Sequence, residues 1–459
     1  MCYHQAMGKP LYEKLYSTVV SEIRTGNLKA GSRLPSVRQA AAENGVSINT
    51  VLGAYALLLS EGYVTSREKS GYYVSEFEEP VPAAKQETRN IPDEAPETQD
   101  SLVDLSANLV DSSLFPFSTL RQLYRQTLSG QNLSILENAG PFLGEMSLRR
   151  SIASYVFNHK GIDCTAQQVV IGNGSSFHLQ MIPSLFGQKP VFLMEEPGFR
   201  STRDIVLDAG CEVAGIPVDD EGADISAIRA ESAKRPGSLI ILHISPSHQF
   251  PLGTTMTASR RSSIMKWASE SPLHYVIEDD YDSEFRYNGH PIAPLRSMDT
   301  QGKVIYLGTF SRTLTPSIRM SYMILPDDLL RRYEARFSVY PCPVSRIDQK
   351  AVSLFMDNGH FERHINRMRR IYRARRNAIL DLFADNCPEA EIRGEEAGLH
   401  FTARFGIPEK EVLEIARENG FRMQGTGTGR VVVGYSHLGE DGIRRFGELL
   451  KLLRLRFTL

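Results

Sequence analysis

The stretch Lys303 to Pro326, KVIYLGTFSRTLTPSIRMSYMILP, decides how the rest of the chain reads. Lys303 to Gly308 is a short β-branched and aromatic run, Thr309 to Thr315 is a hydroxyl-rich bend, and Ser321 to Leu325 is apolar again. That order predicts a buried strand, a turn of small residues, then a second apolar segment. Such a turn presents hydroxyls, here Thr309 and Ser311, and a cation at the end of a buried strand. Lys303 stands nine residues before Arg312. A strand rising about 3.3 Å per residue therefore puts Lys303 near the opposite end of the sheet.

Outward from this stretch, short apolar runs alternate with helical stretches from about Leu102 onward. Candidate strands are Gln168 to Ile171, Pro190 to Met194, Ser238 to Ile244, Tyr275 to Glu278, Val304 to Leu307 and Tyr322 to Leu325. Continuous apolar strands separated by helices predict an α/β domain whose mostly parallel sheet is covered on both faces. Ligands on such sheets lie at the carboxyl ends of the strands. Gly172-Asn173-Gly174-Ser175-Ser176 follows one strand and precedes a helix, so backbone N–H groups and two hydroxyls face any bound anion. Glu195 to Phe199 follows the next strand, Ser245 to Gly253 the one after, and Glu278-Asp279-Asp280-Tyr281 ends a fourth. As strand-end acids, Asp280 and Asp282 read as solvated. The basic run from Gly359 to Arg376 reads as a largely solvated helix face. Arg430 precedes Val431 to Tyr435, where a planar guanidinium suits a bidentate grip on a carboxylate.

The first seventy-five residues have a different grammar. Leu11, Leu15, Val19 and Ile23 recur at helical spacing until Gly26. Ser36 with Gln39 three residues on is a capping-box start for a short helix through Asn44, and Gly45 supplies a turn. Ser47 caps a further helix through Tyr55 and Leu59 to Gly62. Two short helices joined by a Gly turn predict a helix-turn-helix whose second helix reads a groove. Tyr63 to Ser66 and Gly71 to Val74 flank Arg67-Glu68-Lys69 as a small wing. Residues 76–101 are rich in Pro, Glu, Ala, Thr and Gln and poor in large apolar side chains, so they read as a tether.

Residues 9–75 resemble the winged-helix DNA-binding domain of GntR-type regulators, on Leu34-Pro35-Ser36, Arg38, Val46-Ser47, Asn49-Thr50-Val51, Ala54-Tyr55, Glu61-Gly62-Tyr63 and Gly71. The resemblance implies duplex DNA as partner, with Arg38 on a guanine edge and Ser47, Asn49 and Thr50 at the start of the reading helix. It also implies Tyr55 on a phosphate, Gly71 at the wing tip, and Arg67 and Lys69 on the wing. Where that family often carries Arg after the motif Ser, this chain has Ile48. Residues 102–459 resemble the fold-type I aminotransferases that use pyridoxal phosphate (PLP). The resemblance implies phosphate contacts from Gly174, Ser175, Ser176, Thr309, Ser311 and Arg319, and Phe199 stacked on the pyridine. It further implies Asp279 at the ring nitrogen, Tyr281 at the ring oxygen, and Arg430 on a ligand carboxylate. The Schiff-base lysine of the family pattern S-x-S-K is absent, and Arg312 holds its place. Joined by the tether, the two halves have the layout of MocR-type transcription regulators. Ser245-Pro246-Ser247-His248-Gln249-Phe250-Pro251 and Gly359 to Arg376 resemble segments of that family. The resemblance implies a homodimer.

Composition sets outer limits. A net charge of −2 over 459 residues leaves nucleic-acid binding to a local basic surface. Five cysteines without C-x-x-C spacing argue for reduced thiols rather than a disulfide framework or a zinc site. No window approaches the ~18 apolar residues of a membrane span, and the N-terminus lacks a signal-peptide core. A cytoplasmic location is expected. The reading is a DNA-binding regulator whose large domain senses PLP or an amine-bearing, amino-acid-like effector without covalent anchorage. Two other readings stay open: a working aminotransferase with an appended DNA-binding domain, and a dimerisation domain that has lost its ligand. The first is weak because arginine stays protonated and its guanidinium is a poor nucleophile.

Overall fold

The computed structural model describes residues 10–67, 70–76, 102–107, 109–129, 136–289 and 292–457. Lys69 and nearly all of the expected tether lie outside these residues. The chain divides into two compact units, Met1–Thr98 and Gln99–Leu459.

In the first unit, helices α1 (Leu11–Arg24), α2 (Val37–Asn44) and α3 (Ile48–Ser60) precede a hairpin of β1 (Val64–Arg67) and β2 (Gly71–Val74). The ends follow local chemistry. Ser36 Oγ accepts from the Gln39 N–H at 3.3 Å, Gly45 closes α2 at φ 62°, and Ser47 Oγ accepts from the Thr50 N–H at 3.1 Å. Each such cap contributes about 1 kcal/mol. Full burial of Val51 or Leu58 contributes about 1.5–3 kcal/mol apiece, so packing holds the unit and the caps set its boundaries. That packing joins Leu15 and Ile23 of α1, Val51, Ala54, Tyr55 and Leu58 of α3, and Val64 and Val74 of the hairpin.

The second unit carries β3 (Val103–Asp104), β4 (Val169–Gly172), β5 (Val191–Glu196), β6 (Glu212–Asp219), β7 (Gly222–Ala223), β8 (Ile240–Ile244), β9 (His274–Asp280), β10 (Val304–Thr309) and β11 (Ser321–Ile324). β4 to β11 form one sheet in the order β4-β11-β10-β9-β8-β5-β6-β7. The strands β6, β5, β8, β9 and β10 run parallel, and β11 lies antiparallel between β10 and β4. Side chains alternate across the sheet. Tyr275 and Ile277 join Leu179, Ile182 and Leu329 on one face, and Val276 joins Ile228, Ile264 and Trp267 on the other. All six sequence-predicted strands are present. β12 (Glu391–Arg393), β13 (His400–Arg404), β15 (Gln424–Gly425) and β16 (Val431–Gly434) make a smaller antiparallel sheet, and β14 (Phe421–Arg422) pairs with β3. The helices His360–Asn386 and Glu440–Phe457 pack on that smaller sheet through Phe383, Phe401 and Phe446. Among the described residues no helix is long and apolar enough to cross a membrane, and Cys164, Cys211, Cys342 and Cys387 are free.

Candidate functional site

The carboxyl ends of β4, β5, β8, β9 and β10 share one edge of the large sheet, and the turn before β11 returns to it. Five sequence motifs meet there because a parallel sheet aligns strand ends that are far apart in the chain. Lys303, just before β10, lies at the other end, its Nζ 2.9 Å from the Ser271 carbonyl.

At the corner expected to receive an anion, Gly174 caps the helix Ser175–Met181 with φ 85°. A Cβ there would come within 2.8 Å of Arg319 Nη2, so only glycine lets that guanidinium lie against the turn. Arg319 has φ 46° and enters β11 beside Ser321, the register partner of Thr309. Thr309 Oγ1 accepts from the Ser311 N–H at 3.1 Å. This corner thus gathers Gly174, Ser175, Ser176, Thr309, Ser311 and Arg319 as expected from their strand positions.

The corner expected to receive a ring is built from aromatic and acidic side chains. Phe199 remains half-buried, stacks on Phe250 at 4.2 Å between centroids, and meets the edge of Tyr281 at 5.3 Å. The Asp279 carboxylate is buried, with His243 Nε2 at 3.4 Å. Glu195, at the end of β5, accepts from the Ser245 N–H at 3.1 Å, while its other oxygen is buried without a hydrogen-bond partner. Burial pushes the Glu195 carboxyl up to about 8, against the opposing bonds from Ser245 and Gln249. It is therefore neutral at pH 7, with a proton to offer.

Arg312 is half-buried. Burial draws its guanidinium pKa down, and Asp282, then Tyr281 and Asp279, oppose that shift. Asp282 is 1% exposed and accepts from His248 at 2.9 Å, and the Tyr281 hydroxyl lies 3.2 Å from the same ring nitrogen. His400 Nε2 meets the Pro251 carbonyl at 3.2 Å. The donor atoms of His248, Asp282 and His400 fall within 4.8 Å of one another, a grouping of metal-ligating types that spacing along the chain does not reveal. The quoted Ser245 to Gly253 loop was its only sequence signal.

One expectation is corrected here. Asp280 and Asp282 are buried, not solvated: Asp280 accepts from Lys160 Nζ at 2.8 Å and from Ser283 Oγ at 2.7 Å, and Lys160 also pairs with Glu284 at 2.8 Å. Strand-end acids are solvated only where no buried cation comes over them, and the helix Met146–Lys160 brings one. The basic helix is solvated along most of its arginines as expected, Arg363, Arg367, Arg370 and Arg373 being exposed, while Arg369 donates to the Glu284 carbonyl at 2.8 Å and Arg376 is buried over Tyr287.

Arg430 is 5% exposed and sits just before the start of β16, where Nη2 meets Glu391 Oε2 at 2.9 Å and Nη1 donates to the Glu391 carbonyl at 3.0 Å. Val432, two residues on, packs in the cluster of Phe250, Phe199 and Tyr281.

On the first unit, Arg38, Ser47 and Asn49 are exposed and Thr50 is partly so, with Ser47 and Thr50 hydroxyls 2.8 Å apart. Arg67 ends β1 with its guanidinium 4.5 Å from the centre of the Tyr73 ring, and Gly71 faces it at φ 106°. Tyr55 departs from the expected phosphate contact. Its ring is 2% exposed, and its hydroxyl donates to the Pro35 carbonyl at 3.0 Å, tying α3 to the entry of α2.

The PLP implied by the larger fold can be set against these residues. The Gly174 turn with Arg319, the half-buried Phe199 and the Asp279–His243 pair suit the phosphate, ring face and ring nitrogen. Arg312 stands where the family pattern has its Schiff-base lysine.

Residues 101–424 match the family described as Aminotransferase class I and II, and residues 11–74 match Bacterial regulatory proteins, gntR family. The chain is 36% identical over 454 residues to the HTH-type transcriptional regulator YdeL of Bacillus subtilis (strain 168), covering 96% of both chains. It is 31% identical over 416 residues to the probable rhizopine catabolism regulatory protein MocR of Rhizobium meliloti, covering 86% of this chain and 82% of the relative. The kynurenine aminotransferase of Pyrococcus horikoshii superposes with a TM-score of 0.68 at 26% identity, covering 78% of this chain and 92% of that one. A GntR-family helix-turn-helix followed by a class I and II aminotransferase domain, with regulator relatives along nearly the whole length, places the chain in the family of MocR-type transcription regulators.

Proposed function

We propose that this regulator binds duplex DNA through residues 9–75 and senses PLP or an amino-acid-like effector through residues 102–459, with residues 76–101 as a flexible tether. It acts in the cytoplasm as a homodimer. The observation that carries the ligand reading is the half-buried Arg312, three residues past the end of β10 and within the electrostatic reach of Asp282, Tyr281 and Asp279. A guanidinium keeps its proton and does not add to an aldehyde, so PLP is held noncovalently.

The remaining residues divide the work. Gly174, Ser175, Ser176, Thr309, Ser311 and Arg319 offer N–H groups, hydroxyls and a cation to a phosphate. Phe199 offers an aromatic face, Tyr281 a hydroxyl, and Asp279, backed by His243, a carboxylate for a ring nitrogen. Arg430 takes the effector carboxylate. PLP, when bound, supplies an electron-withdrawing pyridine ring. The chain itself supplies no amine at Arg312 to shuttle a proton, and this disfavours the alternative of a PLP-dependent aminotransferase with an appended DNA-binding domain.

The test is an absorption spectrum of the full chain with PLP, before and after gel filtration, alongside borohydride reduction and peptide mass spectrometry. Reversible PLP binding without a reduced adduct is the expected result. A reduced adduct on any lysine would overturn the noncovalent reading, and turnover of an amino acid with a keto acid would establish the enzyme instead.

A further inference from the structure

Beside the corner expected to receive a ring lies a cavity of about 240 Å³ lined by Arg393, Arg404, Arg430, Pro197, Leu252 and Thr254. Pro197 stands two residues before Phe199 and Leu252 two after Phe250, so the cavity adjoins the stacked pair.

The smaller sheet explains how three guanidinium groups converge. Glu391 is the register partner of Arg404, and one step beyond the Ala403–Val431 pair sets Arg404 opposite Arg430. Arg393, two residues along β12 from Glu391, lies on the same face, since side chains alternate along a strand. Like charges directly opposite each other in a sheet are destabilising, so this row needs anions. The chain provides two. Glu391 pairs with Arg430 at 2.9 Å, and Asp220 pairs with Arg393. Two further acids, Asp219 and Glu196, line the cavity, and Asp219 is already held by Arg260 at 2.7 Å. Arg404 donates to the Thr428 carbonyl at 3.0 Å.

The two pairs differ. The Arg430 side chain is 6% exposed and its partner Glu391 59%, whereas Arg393 and Asp220 are both exposed, at 53% and 77%. An exposed pair such as Arg393–Asp220 contributes only about 0–1 kcal/mol, and the Glu391 carboxylate is already largely in solvent. An incoming carboxylate can therefore exchange for either acid without a large loss, and it leaves no arginine uncompensated.

We infer that this cavity takes a small doubly acidic effector, an amino-dicarboxylate or simple diacid, with one carboxylate replacing Glu391 on Arg430 and the other gripped by Arg393 and Arg404. Glu391 and Asp220 are placeholders that keep the arginines neutralised until the ligand arrives. The inference rests on the proposed role of Arg430 and adds the second anionic group.

Calorimetric titration of the full chain with matched pairs tests it: L-glutamate against L-glutamine, L-aspartate against L-asparagine, with glutarate and succinate as amine-free diacids. At least one diacid binds wild type about tenfold or more tighter than its amide. Arg393→Ala and Arg404→Ala abolish that preference, and Glu391→Gln tightens the diacid roughly fivefold. Arg430→Ala weakens acid and amide together, which tests the underlying reading separately. If acid and amide bind equally, or if the preference survives both Arg393→Ala and Arg404→Ala, the doubly acidic ligand is wrong while the Arg430 reading stands. If neither class binds wild type or Glu391→Gln, both are wrong.

Discussion

Arg312→Lys is the substitution that most directly separates the chemistry of this fold from the chemistry of this chain. It keeps a cation beside Asp282 and Asp279 but exchanges a guanidinium for an amine that can lose its proton. The magnitude follows from the site. Burial is already the largest influence on Arg312, lowering its pKa against the pull of Asp282, Tyr281 and Asp279. A lysine of ordinary pKa near 10.4 in such surroundings falls by as much as 3–5 units on burial alone. The two carboxylates restore part of that, and each unit of net lowering raises the neutral amine fraction at pH 8 by about tenfold. The assay is incubation with PLP at pH 8, borohydride reduction and peptide mapping. A reduced adduct on the introduced lysine, and on no other, is expected, together with absorption distinct from that of free PLP. Folding stability should fall by no more than about 1–2 kcal/mol, because the positive charge is kept beside Asp282 and Asp279. An unreactive Arg312→Lys protein with wild-type unfolding behaviour would refute the argument, since it would mean that the anion corner and Phe199 do not bring an aldehyde to this position.

Three further outcomes follow from other parts of the molecule. Arg38→Ala should weaken binding to a cognate duplex by about 1–3 kcal/mol in a mobility-shift titration, and equal binding of specific and scrambled duplexes by both proteins would remove the assignment. Asp280→Asn leaves the buried Lys160 with Glu284 alone and should cost about 3–5 kcal/mol in denaturant unfolding. Burial raises the Asp280 pKa, but Lys160, Tyr306 and Ser283 hold it below the ordinary value, so its contribution is present above about pH 4 and lost as pH falls. The wild-type loss of stability in that acid range should therefore be blunted in the variant. Glu195 has the opposite sign. Its pKa is raised to about 8, so the native state holds its proton where the unfolded state does not, and stability declines from about pH 4.5 to pH 8. Glu195→Gln should flatten that slope and be more stable than wild type above pH 8, as read by thermal melts across pH.

The sequence alone determined what depends on neighbours along the chain. Ser36 with Gln39 and Ser47 with Thr50 mark the helix starts, Gly45 marks the turn, and the strand runs announce themselves by continuous apolar composition. Caps and turns are closed by atoms three or four residues apart, so their chemistry is written locally. Gly174, Phe199, Asp279, Thr309 and Arg319 could also be placed together, because a parallel sheet brings its carboxyl ends to one edge by construction. Tertiary structure alone decided the rest. Asp280 is buried because Lys160, from a helix 120 residues earlier, lies over it, and Tyr55 turns its hydroxyl to Pro35 because α3 packs on the entry to α2. His248, Asp282 and His400 meet because the smaller sheet folds back onto the loop after β8. Arg404 stands opposite Arg430 through strand register, a pairing that depends on the path of the chain between them and leaves no mark on the local sequence of either residue.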